Sequence, residues 1–411
     1  MMQQIFGSLL VRCLLIIAGF VSSIIVSRFL GPEGRGVFFY WSTLAALIIQ
    51  FSNLGLHSSN TYYLTKGQAK ISTLAANSAL ISIVSLVVFG SLLLFALLLP
   101  VPIFQDQWLF LFLTLLLIPT GLYFLLGTNL LVALGRIGEY NCFELINRYM
   151  GLAAILFAVW YWQTPQSLII AMIFNSTIIC FILYYRMQII GGKDKFNLRL
   201  ICNGCGYALR AYIGSVLAFM VLRANAFLLE WFSGKAMVGY WSLAVQILDI
   251  INVIPSTVAL ILLPKIMRTK KAFRMMCSQL LMVTFVLLLV CIFSVWLGRD
   301  FIVLIYGEQF SKAYDILLRG LPGALSLGLI SIASQYLAAI GMPITLLWIW
   351  LVGLIIEVCM SCWLIPILGG EGAMISLSIA YTVILGFVLW LAIYCNSFQR
   401  LVKCEKTNQV S

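Results

Sequence analysis

Residues 108–133 read WLFLFLTLLLIPTGLYFLLGTNLLVA, a run of apolar side chains with no charge from one end to the other. A bilayer's hydrocarbon core, roughly 30 Å thick, needs about 20 such residues in a helix to cross it. The run is continuous rather than alternating, so it reads as a membrane helix and not as a barrel strand, the other structure that lipid admits.

Working outward, comparable runs lie near 8–27, 36–56, 72–99, 141–162, 167–188, 208–229, 237–264, 276–297, 315–340, 343–366 and 373–395, about twelve in all. The chain is 63% apolar and 9% charged with a mean hydropathy of +1.08, outside the range of soluble domains. The expected class is therefore all-α, a polytopic integral membrane protein. Arg12 interrupts the first run, and no small-residue cleavage site precedes the charged stretch from Arg28 to Arg35, so that run reads as a retained span.

A net charge of +12 would suggest nucleic acid in a soluble domain. Here the lysines and arginines concentrate on one side of the membrane, among them Lys195, Arg199, Lys265, Arg268 and Arg274, and Lys193, Lys270 and Lys271 beside them. The opposite side holds fewer, such as Lys235, Arg299, Lys312 and Arg319. This asymmetry places both termini in the cytoplasm and makes nucleic acid an unneeded partner. Eleven cysteines, an odd number mostly inside spans, argue against a disulfide framework. The pairs Cys202/Cys205 and Cys359/Cys362 read as packing residues, so no metal site is expected.

The longest connection, near Ile190–Tyr207, falls at the middle of the chain. It divides an N-terminal bundle (1–190), a cytoplasmic hinge loop (191–206), a C-terminal bundle (207–400) and a cytoplasmic tail (401–411). An internal repeat supports the division: Gly31, Gly36 and Pro119 recur at one common interval as Gly234, Gly239 and Pro322, and Leu131–Gly135 resembles Leu337–Gly341 after a short slip. Six spans per half start both halves from the same side, which makes the repeat parallel about an axis along the membrane normal and puts a substrate site between the bundles.

No phosphate loop, nucleophile elbow or zinc-protease motif is present, and there is one histidine, so the chain reads as a transporter without a cofactor and not as an enzyme. In the run at 237–264, Ser242, Gln246, Asp249, Asn252 and Ser256 share one helical face, and in the run at 36–56 and just beyond it Ser42, Gln50, Asn53, His57 and Asn60 do the same. Such stripes line a cavity or bond neighbouring helices. Arg223, inside the run at 208–229 with Asn225 close by, either snorkels to the interface or binds a phosphate, with Asp249 as its counter-ion. Glu144 and Arg148 are spaced for an intrahelical pair. Asp249, Glu357, which stands isolated in its span, and His57, the one side chain with an ordinary pKa near neutrality, are the ion-coupling candidates.

The stretch Ser27-Arg28-Phe29-Leu30-Gly31-Pro32-Glu33-Gly34-Arg35-Gly36 resembles the first-loop pattern of the oligosaccharide and polysaccharide flippases of the multidrug/oligosaccharidyl-lipid/polysaccharide exporter superfamily. Arg223 through Tyr240 with Pro264, Phe301 through Phe310 with Ala313, and Pro366 through Ala373 are similar to later segments of that family. One departure is Asn225, where many members carry an aspartate.

The resemblance implies twelve helices in two bundles, a cavity opening alternately inward and outward, and an undecaprenyl-diphosphate-linked repeat unit as substrate, feeding O-antigen, lipopolysaccharide or a similar surface glycan in a bacterial cytoplasmic membrane. A glycan polymerase and chain-length machinery would be partners, besides membrane lipids. Arg223, Asn225, Asp249, Gln246, Asn252, Asn53, Arg28 and Arg148 become the substrate-binding candidates. The alternatives are a small-molecule multidrug or cation antiporter of the same superfamily, and a membrane glycan polymerase.

Overall fold

The computed structural model describes residues 2–98, 107–192, 194–269, 272–339 and 343–408. Gly341 of the repeat, Lys193, Lys270 and Lys271 of the basic loops and the last residues of the tail lie outside them, as do the side chains of Cys205 and Pro264. In chain order the helices are α1 (Met2–Ser52), α2 (Leu56–Thr65), α3 (Ile71–Leu98), α4 (Trp108–Ala133), α5 (Ile137–Tyr161), α6 (Pro165–Gly191) and α7 (Leu198–Ser233). There follow α8 (Lys235–Ile251), α9 (Val253–Arg268), α10 (Ala272–Tyr306), α11 (Lys312–Ala339), α12 (Thr345–Leu368) and α13 (Gly370–Asn408).

Eleven stretches among the described residues are long and apolar enough to cross a membrane, and the chain is a multi-pass membrane protein. The sequence led to one more, and the difference lies in α1. Its 43-residue apolar stretch Leu10–Ser52 would span about 65 Å if straight, twice the thickness of the hydrocarbon. Gly31, at φ 66° and ψ −174°, breaks it. Arg35 on the far side of that glycine donates to Ser23 Oγ at 2.7 Å and Ser27 Oγ at 2.6 Å. In a straight helix positions 23 and 35 would be about 18 Å apart, beyond an arginine's reach. The chain therefore doubles back at Gly31, and α1 supplies two crossings. The loop expected from Arg28 to Arg35 shrinks to one residue, because glycine alone takes a positive φ there without a Cβ clash.

Packing divides the chain into two compact units, Met1–Phe219 and Met220–Ser411. The boundary falls inside α7, later than the start of the second bundle at 207 that the sequence indicated. The reason is local: Gln50 donates to Ser215 Oγ at 2.8 Å, and the Tyr212 hydroxyl donates to the Phe51 carbonyl at 2.8 Å, so the first turns of α7 belong to unit 1. The segment expected to be a hinge is likewise anchored. Thr73 Oγ1 donates to Asp194 at 2.9 Å, and Asn197 N donates to Asn77 Oδ1 at 2.7 Å, tying the connection to α3.

Unit 1 is built around α4, which packs on α1, α2, α3, α5 and α6 and buries Ile118, Leu122, Leu126, Leu130 and Leu131 completely. Unit 2 is built around α11, which packs on α8, α9, α10 and α13. These hubs carry Pro119 and Pro322, the matched prolines of the repeat. A proline's missing N–H is tolerated in membrane helices where neighbours satisfy the freed carbonyl.

Lipid supplies no hydrophobic drive between helices, so close approach does the holding. Trp41 stacks on Phe110 at 5.6 Å, and Gly323 brings its own N–H to within 3.2 Å of Ser378 Oγ on α13. Large apolar side chains left outside, such as Trp160, Phe181, Trp296 and Leu304, are exposed to the surrounding medium, which for this chain is lipid.

Candidate functional site

In unit 2 the site grows from the second hairpin. Gly234, at φ 79° and ψ 174°, separates α7 from α8 in nearly the conformation that Gly31 has in unit 1. It turns α8 back along α7. That places Asp249 beside Arg223, whose Nη2 donates to Asp249 Oδ2 at 3.1 Å. The pair is partly open, with 20% of the arginine and 42% of the aspartate side chain exposed. Other members of that stripe, which runs past α8 into α9, bond the backbone of their own helix. Ser242 donates to the Gly239 carbonyl, Asn252 to that of Leu248, and Ser256 to that of Val253. Gln246 stays half-buried.

Asn225 follows Arg223 by two residues and points elsewhere, into the core of the unit. Its Nδ2 donates to Glu357 Oε1 on α12 and to the Ala373 carbonyl on α13, each at 3.0 Å. Its Oδ1 accepts from Ser361 Oγ at 2.6 Å. Glu357 is fully buried, and its Oε2 has no hydrogen-bond partner among the described residues. The isolation expected of Glu357 is therefore corrected. Ser361 lies one helical turn away on the same face and was legible; Asn225 and the Ala373 carbonyl come from distant helices and were not.

In unit 1 the candidates scatter. Asn53 is buried in the turn after α1, where Oδ1 accepts from His57 N at 3.3 Å and Nδ2 lies 2.7 Å from His57 Nδ1. With Nδ1 accepting, Nε2 carries the proton toward Ser58 Oγ, 3.0 Å away. Burial pushes the imidazole below its ordinary pKa of 6.5, and this residue lies outside the membrane-spanning stretches, between Ser52 and Ile71. Gln50 and Asn60 bond Ser215 on α7 and Ser78 on α3. Two members of this stripe, Gln50 and Asn60, thus join helices.

Arg28 is exposed, whereas Arg35, at the other end of the same charged stretch, is the buried arginine of the hairpin. Arg148 is exposed with its guanidinium against Gly19 of α1. The expected Glu144–Arg148 pair does not close within 4 Å among the described residues. Instead Glu139 receives Arg136 at 2.9 Å and Arg186 of α6 at 3.0 Å. Glu139 thus draws on α6 as well as on its own helix end, and Arg186 grips it through two nitrogens.

Residues 2–270 match the model of a family described as polysaccharide biosynthesis protein. No curated protein matched the sequence. Among solved structures, the chain is similar in fold to the lipid II flippase MurJ in an inward closed conformation, at TM-score 0.77 and 13% identity, over 93% of this chain and 86% of that one. It is similar to an inward-facing multidrug resistance MATE family transporter of the MOP superfamily, at TM-score 0.71 and 13% identity, over 94% and 96%. The Vibrio cholerae MATE transporter VcmN aligns at TM-score 0.66 and 16% identity, over 97% of each chain.

Proposed function

The chain belongs to the polysaccharide biosynthesis protein family, and from that premise we propose that it is a flippase for an undecaprenyl-diphosphate-linked oligosaccharide repeat unit, working by alternating access in a bacterial cytoplasmic membrane with both termini inside. The observation that carries the reading is the Arg223–Asp249 pair. A guanidinium inside a membrane span is costly unless paired, and this one is held by a partner that is itself 42% exposed. A diphosphate offers the same planar fork a stronger, doubly charged acceptor, so substrate exchanges with Asp249 for Arg223.

Physical chemistry requires such help. Each sugar hydroxyl moved unpartnered into hydrocarbon costs roughly 2–7 kcal/mol, while the polyprenyl tail prefers lipid. Asn53, Arg28, Arg148, Gln246 and Asn252 remain candidate head-group contacts of lower rank, since several already bond within their own unit. Glu357 is the coupling candidate that the geometry supports best, because a buried carboxyl with one oxygen unpartnered is suited to take up a proton or a cation. One charge moved through 100 mV is worth about 2.3 kcal/mol. The glycan delivered serves O-antigen, lipopolysaccharide or a related surface polymer, with a polymerase and chain-length proteins downstream.

The test is surface glycan in a strain lacking the gene. Wild-type chain restores it and Arg223→Ala does not; normal glycan with both Arg223→Ala and Arg223→Lys would overturn the diphosphate role. A small-molecule antiporter is the second reading, favoured by the similarity in fold to a multidrug MATE transporter. Dye accumulation in the same strain, with glycan unchanged, would select it.

A further inference from the structure

Unit 1 contains a cleft of about 390 Å³ between α3, α4 and α6, lined also by Gly192 and Asp194 after α6. The volume is in the range of small-molecule sites. Ser72, Tyr123, Tyr184, Met187, Gln188 and Asp194 line it. Among the described lining residues Asp194 carries the one formal charge, and it is negative. In a chain of net charge +12 that polarity is unusual.

Two further observations point to a ligand. Tyr123 is 4% exposed, and its hydroxyl has no hydrogen-bond partner among the described residues. A buried hydroxyl left unpaired is costly, and native structures usually supply it with a partner. Tyr123 and Tyr184, which both line the cleft, also pack on one another with ring centroids 6.0 Å apart at 58°, an aromatic pair on its wall. Aromatic faces joined to a carboxylate and neutral oxygen acceptors recognise ammonium groups.

We propose that this cleft binds an alkylammonium group, either the head-group amine of a phospholipid or a free small amine. The ammonium sits against the cleft side of the tyrosine pair, with the Tyr123 hydroxyl, Gln188 and Asp194 as acceptors. Tyr184 is itself exposed, and Phe181 and Tyr185 beside it on α6 are exposed too, so the cleft is reachable from surrounding lipid. Lys70 lies outside the lining yet within electrostatic range of Asp194, where it suits the phosphate ester next to a lipid's ethanolamine. Thr73 and Lys195 N hold Asp194 in place and keep its carboxyl below the usual carboxylate range, so it is charged when the amine arrives. The proposal does not rest on the flippase reading, and loss of glycan transport leaves it intact.

The test is native mass spectrometry of the purified full chain with ethanolamine-headed and glycerol-headed phospholipids, beside thermal melting with soluble phosphoethanolamine. Wild type should retain the ethanolamine-headed lipid about tenfold over the glycerol-headed one, and Tyr184→Ala and Asp194→Asn should each remove most of that preference. Tyr184→Phe, which keeps the aromatic face, should retain it and so report on folding. If soluble phosphoethanolamine raises the melting temperature and the lipids are not discriminated, the ammonium site stands and its source is a free amine. Absence of both effects, or a lipid preference unchanged in both variants, would overturn the proposal.

Discussion

Asn225 donates a 3.0 Å hydrogen bond to Glu357 across 132 residues of chain, and the same amide accepts from Ser361 at 2.6 Å. The amide is thus satisfied on both sides while the carboxyl keeps one buried oxygen unpartnered. Glu357→Gln preserves shape and should leave melting temperature close to wild type while abolishing the dependence of translocation on an ion gradient. Glu357→Ala should cost about 1–3 kcal/mol as well, by stranding one of Asn225's donors. Gradient-dependent transport by the glutamine variant would exclude Glu357 as the coupling group.

Arg223 and Asp249 form a half-open pair, so their mutual contribution to stability is discounted for solvent and should stay below about 1 kcal/mol. Arg223→Ala is expected to fold normally and fail in glycan display, whereas Asp249→Asn should keep folding and shift the apparent substrate affinity. Thermal melting next to surface glycan separates the two effects; a large drop in melting temperature for Arg223→Ala would make its role structural.

The α1 hairpin should behave in the opposite way. Gly31→Ala places a Cβ at φ 66° and should destabilise by about 1–2 kcal/mol. Arg35→Met removes the buried bonds to Ser23 and Ser27 and should cost about 1–3 kcal/mol. Both effects are read as a lower melting temperature. Arg35→Met with unchanged stability would mean that the hairpin is held by its apolar faces alone.

His57 makes stability depend on pH. Its pKa in the folded chain lies below the ordinary 6.5, so on acidification the unfolded chain takes up a proton that the folded chain refuses. The contribution is whole above 6.5 and declines as pH falls from there toward the folded-state value. Melting temperature should drop between about pH 7.5 and 5.5, and less so in His57→Gln. Identical slopes in the two proteins would assign the pH dependence elsewhere.

Composition and unbroken apolar runs determined by themselves that this chain is helical and crosses a membrane many times, because lipid admits only helices and closed barrels and a barrel strand would alternate. The matched glycines Gly31/Gly36 and Gly234/Gly239 were legible as an internal repeat, and the structure shows that the first of each pair takes a positive φ and makes the turn. Helical spacing also gathered Gln246 and Asp249 of α8 with Asn252 just after it on one side, but periodicity fixes which residues share a face and not what that face meets. The sequence offered Asp249 as a counter-ion for Arg223, and the structure brings them together; only the tertiary structure decided that Asn225 turns from that pair to join Glu357, and that Gln50 and Asn60 serve as rivets to α7 and α3. Those choices depend on contacts between helices far apart in the chain, for which no spacing rule within one helix exists.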